Sequence, residues 1–313
     1  MAALGFGMSS IAALAGGAAP LAPLPSGAQV VVGAGSVTTQ GSATVIRQSS
    51  SKMVVNWQSF NVGTGKSVEF VQPSASAVAL NRVVGSDASV IQGQLKANGH
   101  IFLVNPNGVV FSSTARVDAG GLVASTLQIK DEDFLAGRYV FVGQSAQAVT
   151  NAGTIRASEG GGIALIAARI VNEGELTAHG GRIALGAGDR VTLDLGGATL
   201  LQVENSTLET LIDNGGVIRA GAGRVLITSK AADSLRASVI NNGGVIEAQS
   251  LGVGSNGAVV LYATGGTLNN FGSIKARGGF VETSGKQYNN LPGATVEAGE
   301  WLIDPVNINV DAA

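Results

Sequence analysis

The chain has 313 residues, with 46 Gly, 45% hydrophobic, 13% charged and 4% aromatic residues, a composition that favours many short strands and tight turns over helices. Its formal net charge of −2 provides no basic surface to displace counterions from phosphates, which excludes nucleic acid as a partner. The absence of cysteine removes disulfides, thiolate metal sites and cysteine nucleophiles, and it suits a chain that crosses an oxidising compartment unfolded.

Residues 1–29, an apolar Ala/Gly run followed by small residues and three prolines, read as a signal-peptide remnant without its basic n-region, or as a flexible leader. No later stretch reaches the roughly 18 uninterrupted apolar residues of a membrane span. Residues 30–150 contain VVVGAGSVTT, SKMVVNWQSFNVG, SVEFVQP, AVALNRVVG, HIFLVNPNGVVF and GRYVFVG, apolar and polar residues alternating between Gly, Asn and Pro turns, which predicts strands throughout. The run Asp131-Glu132-Asp133 reads as a solvated loop between them.

From residue 151 onward a phrase recurs: NAGTIRA, NEGELTA, NGGVIRA, NGGVIEA and NFGSIKA, opening at Asn151, Asn172, Asn214, Asn242 and Asn270. The asparagines stand 21, 42, 28 and 28 residues apart, so the unit is one coil of roughly 20 to 30 residues with one doubled interval. Between phrases, runs after glycine such as Gly162-Ile-Ala-Leu-Ile and Gly181-Arg-Ile-Ala-Leu supply a second strand per coil. In this reading Asn and Gly take the positive φ of a sharp corner, the following Ile or Leu points inward, and stacked coils superimpose asparagines into an amide ladder. Two segments break the pattern and predict short surface helices. Ser206-Thr-Leu-Glu209 is a capping box with Leu208, Leu211 and Ile212 at helical spacing, and Lys230–Ala237 is rich in helix formers.

These elements predict an all-β chain folded as a right-handed parallel β-helix, with an N-terminal β cap and short extra-helical elements. Residues 30–150 form the cap and first coils, because a β-helix must shield its first edge, and residues 151–313 form the repeated coils. The ending WLIDPVNINV still reads as a strand, which predicts further coils beyond it. A leucine-rich repeat lacks its signature here, and a propeller needs longer units with more aromatics.

For catalysis the chain offers little. His100, read as a strand-surface residue, and His179 are far apart and in no metal-ligand spacing; GSDAS at 85–89 lacks a nucleophile elbow, and no phosphate-binding fingerprint occurs. The sequence therefore predicts no catalytic residue, metal or cofactor. A β-helix enzyme or carbohydrate-binding protein is the competing class, but it needs acidic groups converging on one groove, and no Asp cluster repeats at the coil period. Asn105-Pro106-Asn107-Gly108 is a β-turn, with Pro106 fixing φ and Asn107 or Gly108 taking the left-handed conformation. Trp57 and Phe60 read as core or cap packing, and Asn81 and Arg82 as residues that pin a loop.

The segments NWQSFNVG at 56–63, ALNRV at 79–83, GQLKANGHIFLVNPNGVVF at 93–111 and GLVASTLQI at 121–129 resemble the haemagglutination-activity, or secretion, domain of two-partner-secretion exoproteins. ALNRV together with a single Asn-Pro-Asn-Gly is most similar to the high-molecular-weight adhesin branch, and WLIDP at 301–305 is similar to the stretch just beyond the domain in large members. The resemblance implies recognition of the unfolded chain by the periplasmic domains of an outer-membrane β-barrel transporter, outward threading, and folding at the cell surface. It implies a secretion motif at Asn105, Pro106, Asn107 and Gly108, with Asn56, Trp57, Phe60, Asn81 and Arg82 as recognition or cap residues. Strands within 54–71 and 101–111 are candidates for pairing with a transporter strand edge. A host or matrix glycan is implied only as a partner of the full-length exoprotein.

Overall fold

The computed structural model describes residues 23–194, 201–204, 209–230, 238–249 and 257–310. Within them the chain is a parallel β-helix: each coil lays one strand on each of three faces, and each strand pairs in parallel with its counterpart in the next coil. Because side chains alternate along a strand, stacking makes columns. On the first face Val68, Leu95, Val117, Ile155, Leu176, Ile218, Ile246 and Ile274 superimpose, all buried. On the second, Ile163, Ile183, Val225, Val259 and Val281 do the same. Each coil buries its apolar side chains against its neighbours, so stability is a sum over adjacent coils.

The first strands run antiparallel. Gly35–Gln40 and Ala43–Gln48 form a hairpin around Gly41, whose φ of +60° suits glycine, and Gln29–Val32 crosses Lys52–Trp57. Residues 1–22 of the expected leader lie outside the described residues. After them, Leu24 packs on the core and Ser26 bridges Ser59.

The repeated phrase closes the corner between the third and first faces. Asn151, Asn172, Asn214, Asn242, Asn270 and Asn290 form one continuous ladder, each Nδ2 donating to the next Oδ1 at 2.7–2.9 Å. Backbone bonds run alongside it: the carbonyls of Asn172, Asn214 and Asn242 each accept two N–H groups of the following phrase. The phrase glycine is required for a reason different from the one the sequence suggested. Neither Asn nor this Gly has positive φ. Instead, a Cβ at Gly216, Gly244 or Gly272 would collide with the carbonyl oxygen of the equivalent glycine one coil earlier, so close coil-to-coil approach excludes any side chain.

The doubled interval is a single coil. Arg169–Asn172 pairs directly with Thr210–Asn214, and the surplus chain leaves the wall as an excursion carrying Arg190–Leu193 and Leu201–Val203. These strands join Gln128–Ile129 and Tyr139–Val142 in a four-stranded antiparallel sheet. The sheet is linked to a second hydrophobic core on the outside of the second face, where Leu80, Phe102, Val104, Val123, Ala164 and Ile166 meet Ile129, Phe141, Val191 and Leu193. Phe102 is central, with ring centroids 5.6 Å from Phe134 and 5.0 Å from Tyr139. Residues 101–104 are therefore apolar at every position because both faces of the strand are covered.

Two local expectations change. Asp131-Glu132-Asp133 opens a short helix, Asp131–Leu135, instead of a solvated loop. Phe134 is buried in the second core, and Arg82 Nη2 lies 2.6 Å from Asp131 Oδ1. Acidic residues in the first turn also suit the helix dipole. Of the capping-box segment, residues 206–208 lie outside the described residues. Leu211 and Ile212 sit on the Thr210–Asn214 strand with Ile212 inward, because strands on both sides satisfy its backbone and burial has period two. Residues 231–237 of the other expected helix also lie outside the described residues.

Replacing Asn214 with Ala leaves the Asn172 amide proton and the Asn242 oxygen unpaired in the buried column, at an expected cost of about 3 kcal/mol. Asn290→Ala, at the half-buried last rung, removes the acceptor of the Asn270 amide and of the Tyr288 hydroxyl where solvent can replace it, and costs about 1 kcal/mol. Urea unfolding of both variants checks the ordering; equal losses would contradict a continuous ladder.

Candidate functional site

Three successive early coils converge at the corner between the second and third faces, and each brings one of the non-repeated motifs. The strand Lys52–Trp57 leads into Gln58–Phe60, Val78–Val83 leads into the 84–89 loop, and His100–Val104 leads into Asn105–Gly108. The motifs stack because their preceding strands pair, Val55 beside Asn81 and Asn81 beside Leu103.

The Asn105–Gly108 segment is a closed turn in which Gly108 N–H donates to the Asn105 carbonyl at 3.0 Å and Gly108 takes a φ of +113°. Asn105 is fully buried. Its Oδ1 accepts from the Asn107 N–H at 2.9 Å, a local side-chain turn, while its Nδ2 donates to the Asp87 carbonyl at 2.9 Å and Ser89 Oγ at 3.0 Å. Asn107 Nδ2 donates to the Gly85 carbonyl at 2.9 Å, and Ser145 Oγ donates to the Pro106 carbonyl at 2.5 Å. The turn thus holds the preceding coil's loop by three side-chain bonds and is itself held by the following segment.

Trp57, Phe60 and Asn81 lie inside the same coils. Trp57 and Phe60 meet edge to face at 5.3 Å, and Trp57 Nε1 donates to Asn81 Oδ1 at 3.0 Å. Asn81 Nδ2 reaches the Ala79 and Phe102 carbonyls, each at 3.3 Å, so a polar residue in an apolar column is satisfied on both its amide atoms. Asn56 and Arg82 point the other way. Arg82 Nη2 donates to the Ile129 carbonyl at 2.7 Å and to Asp131 Oδ1 at 2.6 Å, fastening the extra-helical helix to the wall. Asn56 pairs in register with Gln29 of the cap strand and carries a buried Oδ1 with no hydrogen-bond partner.

Sequence reasoning did not single out Asn61, Gly85, Ser89 and Ser145. Asn61 Oδ1 accepts from the Val90 N–H at 2.8 Å, holding from the coil before it the same middle coil that Asn105 holds from the coil after it. A Cβ at Gly85 would collide with the Gln58 carbonyl. Asn61 lies within the NWQSFNVG segment, so its signal was present; Gly85, Ser89 and Ser145 are ordinary loop residues whose partners are distant in sequence. His100 is half-buried at a cavity of about 330 Å³ that Leu122, Ile163, Arg182 and Asp194 also line. Burial lowers its pKa below the usual imidazole range. His179 is exposed.

The family model for the TPS secretion domain matches residues 22–276. A Haemophilus influenzae heme/hemopexin-binding protein is 35% identical over 312 residues, covering 92% of this chain and 33% of the relative. A second heme/hemopexin-binding protein from Haemophilus influenzae is 47% identical over 85 residues, 27% of this chain and 9% of the relative. The chain thus spans about a third of the length of the first relative. The secretion domain of HMW1 from Haemophilus influenzae superimposes with a TM-score of 0.81 at 29% identity, covering 87% of this chain and 73% of that one. The filamentous hemagglutinin secretion domain superimposes with a TM-score of 0.53 at 17% identity, covering 92% and 98%, which supports the shared fold alone. Family match and fold agree with the stacked motifs: the chain belongs to the TPS secretion domain family, the domains that direct exported exoproteins through two-partner secretion.

Proposed function

We propose that the cognate outer-membrane transporter reads this domain through its periplasmic domains while the chain is unfolded, and that the Asn105–Gly108 turn closes only after passage. The observation that carries this reading is the commitment of both asparagine side chains to internal hydrogen bonds. A partner needing those amides meets them free only before the coil forms. The candidate pairing segments agree, since Val54, Val55 and Trp57, like Ile101 to Val104, are buried in the fold and would be presented as strands only in an unfolded chain. Asn56, Trp57, Phe60, Asn81 and Arg82 then serve the first folded coils as packing and fastening residues.

Folding outside the cell would bias threading outward, because each added coil buries an apolar column and satisfies backbone groups left open by the one before. The domain acts as an address and a folding start, not as an enzyme, and the exoprotein it serves reaches the surface or medium of a Gram-negative bacterium. What that exoprotein binds there is a separate question. Its 35% identity to a protein named for haem and hemopexin favours that cargo class over a host or matrix glycan, which rests on family resemblance alone.

In cells carrying the transporter, export of the Asn105→Ala/Asn107→Ala variant under a complete signal peptide is expected to fall to the level seen without transporter, while the purified variant retains its β-sheet circular dichroism. Export at the unmodified level, or export independent of the transporter, would remove the motif or the whole reading respectively. Immobilised periplasmic domains of the transporter are expected to retain the urea-unfolded chain diluted onto them and to let the folded chain pass. Preferential retention of the folded chain would reverse the proposed order of events.

A further inference from the structure

The outward side of the first face carries a second column. Glu69, Lys96, Asp118, Arg156, Thr177, Arg219, Glu247, Lys275 and Glu297 stand in register on nine successive coils. Eight of these nine are charged in a chain that is only 13% charged, and no two neighbours share a sign. At the one gap, Glu175 on the same strand supplies the missing negative charge. Its Oε1 accepts from Thr177 Oγ1 at 3.0 Å and from Arg219 Nη1 at 3.2 Å. Arg219 Nε donates to Glu247 Oε2 at 2.9 Å, and Lys275 Nζ lies 3.9 Å from Glu247 Oε1. Glu297 ends the series, its carboxyl held below the ordinary range by a hydrogen bond from Arg277 and by the charges of Arg277 and Lys275. Across these nine coils the signs alternate, with Glu175 standing in at the Thr177 position.

Exposed ion pairs add little stability, so strength does not explain an unbroken alternation. Choice of neighbour does. The inward columns are homotypic: Asn214 would match Asn270 as well as Asn242, and Ile218 would match Ile274 as well as Ile246. A coil that docked one position too far would satisfy those columns. It would also set Arg219 against Lys275, or Glu247 against Glu297, and like charges directly opposite are destabilising. We infer that this column is a coil-ordering code, penalising skipped-coil pairing while the β-helix zips, so that the growing end accepts only the next coil. The device acts on the chain itself and operates in solution whether or not a transporter reads the domain.

The test refolds the 313-residue chain from urea. The double variant Lys96→Asp/Asp118→Lys keeps net charge but sets like charges opposite Glu69 and opposite Arg156 while making next-but-one coils attract. Inverting Glu69→Lys, Lys96→Glu, Asp118→Lys and Arg156→Glu together, with Glu175→Gln to remove the carboxylate that fills the gap beside position 156, leaves every directly opposed pair unlike. At low ionic strength the double variant is expected to refold about five-fold more slowly and with a lower native yield, as like-charge pairs raise the barrier to correct docking. In roughly 1 M salt, where the screening length falls to about 3 Å, it should refold like the unmodified chain. The fourfold inversion should match the unmodified chain in both. Unmodified refolding of the double variant at low salt would overturn the inference. So would slowing that persists in high salt, which marks a steric defect, or a change confined to the unfolding rate, which marks ordinary surface ion pairs.

Discussion

The asparagine ladder is the interaction on which the rest depends. An amide buried in an apolar column is costly unless both its donor and its acceptor are met, and here Asn172, Asn214, Asn242 and Asn270 are each met by the Asn of the coil before and the coil after. The ladder makes every interior coil conditional on two neighbours. The phrase glycines allow it, because Gly216, Gly244 and Gly272 abut carbonyl oxygens where no Cβ fits. Stability therefore grows along one axis, coil by coil, which suits a chain delivered from one end.

The N-terminal coils are built differently because, among the described residues, antiparallel strands and not a further parallel coil lie at their first edge. Antiparallel strands cover the start, and the second face is buried on both sides by the extra-helical sheet and its short helix. Arg82 fastens that helix while its neighbour Asn81, one residue along and so facing inward, satisfies Trp57. The Asn105–Gly108 turn belongs to the same architecture, holding the 85–89 loop as Asn61 holds Val90. Residues that the resemblance assigns to recognition are thus the ones that close the first coils. Exposed while unfolded and internal once folded, they can serve both tasks in succession.

Much of the fold was legible because a β-helix writes its period into the sequence. The phrase and its alternating strands identified the coil, the inward Ile column and the ladder. Asn290 was not legible as a rung since Leu291 and Pro292 separate it from Gly293 and blur the phrase, although it occupies the sixth position. The 42-residue interval looked like two coils because its excursion happens to double the spacing; only the pairing of Arg169–Asn172 with Thr210–Asn214 shows otherwise. The helix at Asp131 was hidden because a five-residue helix carries too little periodicity to read, and because its reason for forming, Phe134 packing on Phe102, is a long-range contact. The turn at Asn105 was visible, but its partners Asp87, Ser89 and Ser145 were not, as hydrogen bonds between distant loops leave no local pattern.

The central claim is that the transporter meets this domain before it folds. Site-specific photocrosslinking during export tests this directly, with the probe placed at inward positions Val55 and Leu103 and, for comparison, at outward positions Thr38 and Lys96. The account predicts crosslinks to the transporter's periplasmic domains from Val55 and Leu103, which a folded domain conceals. Crosslinks confined to Thr38 and Lys96 would show that a folded surface is recognised, and would contradict it.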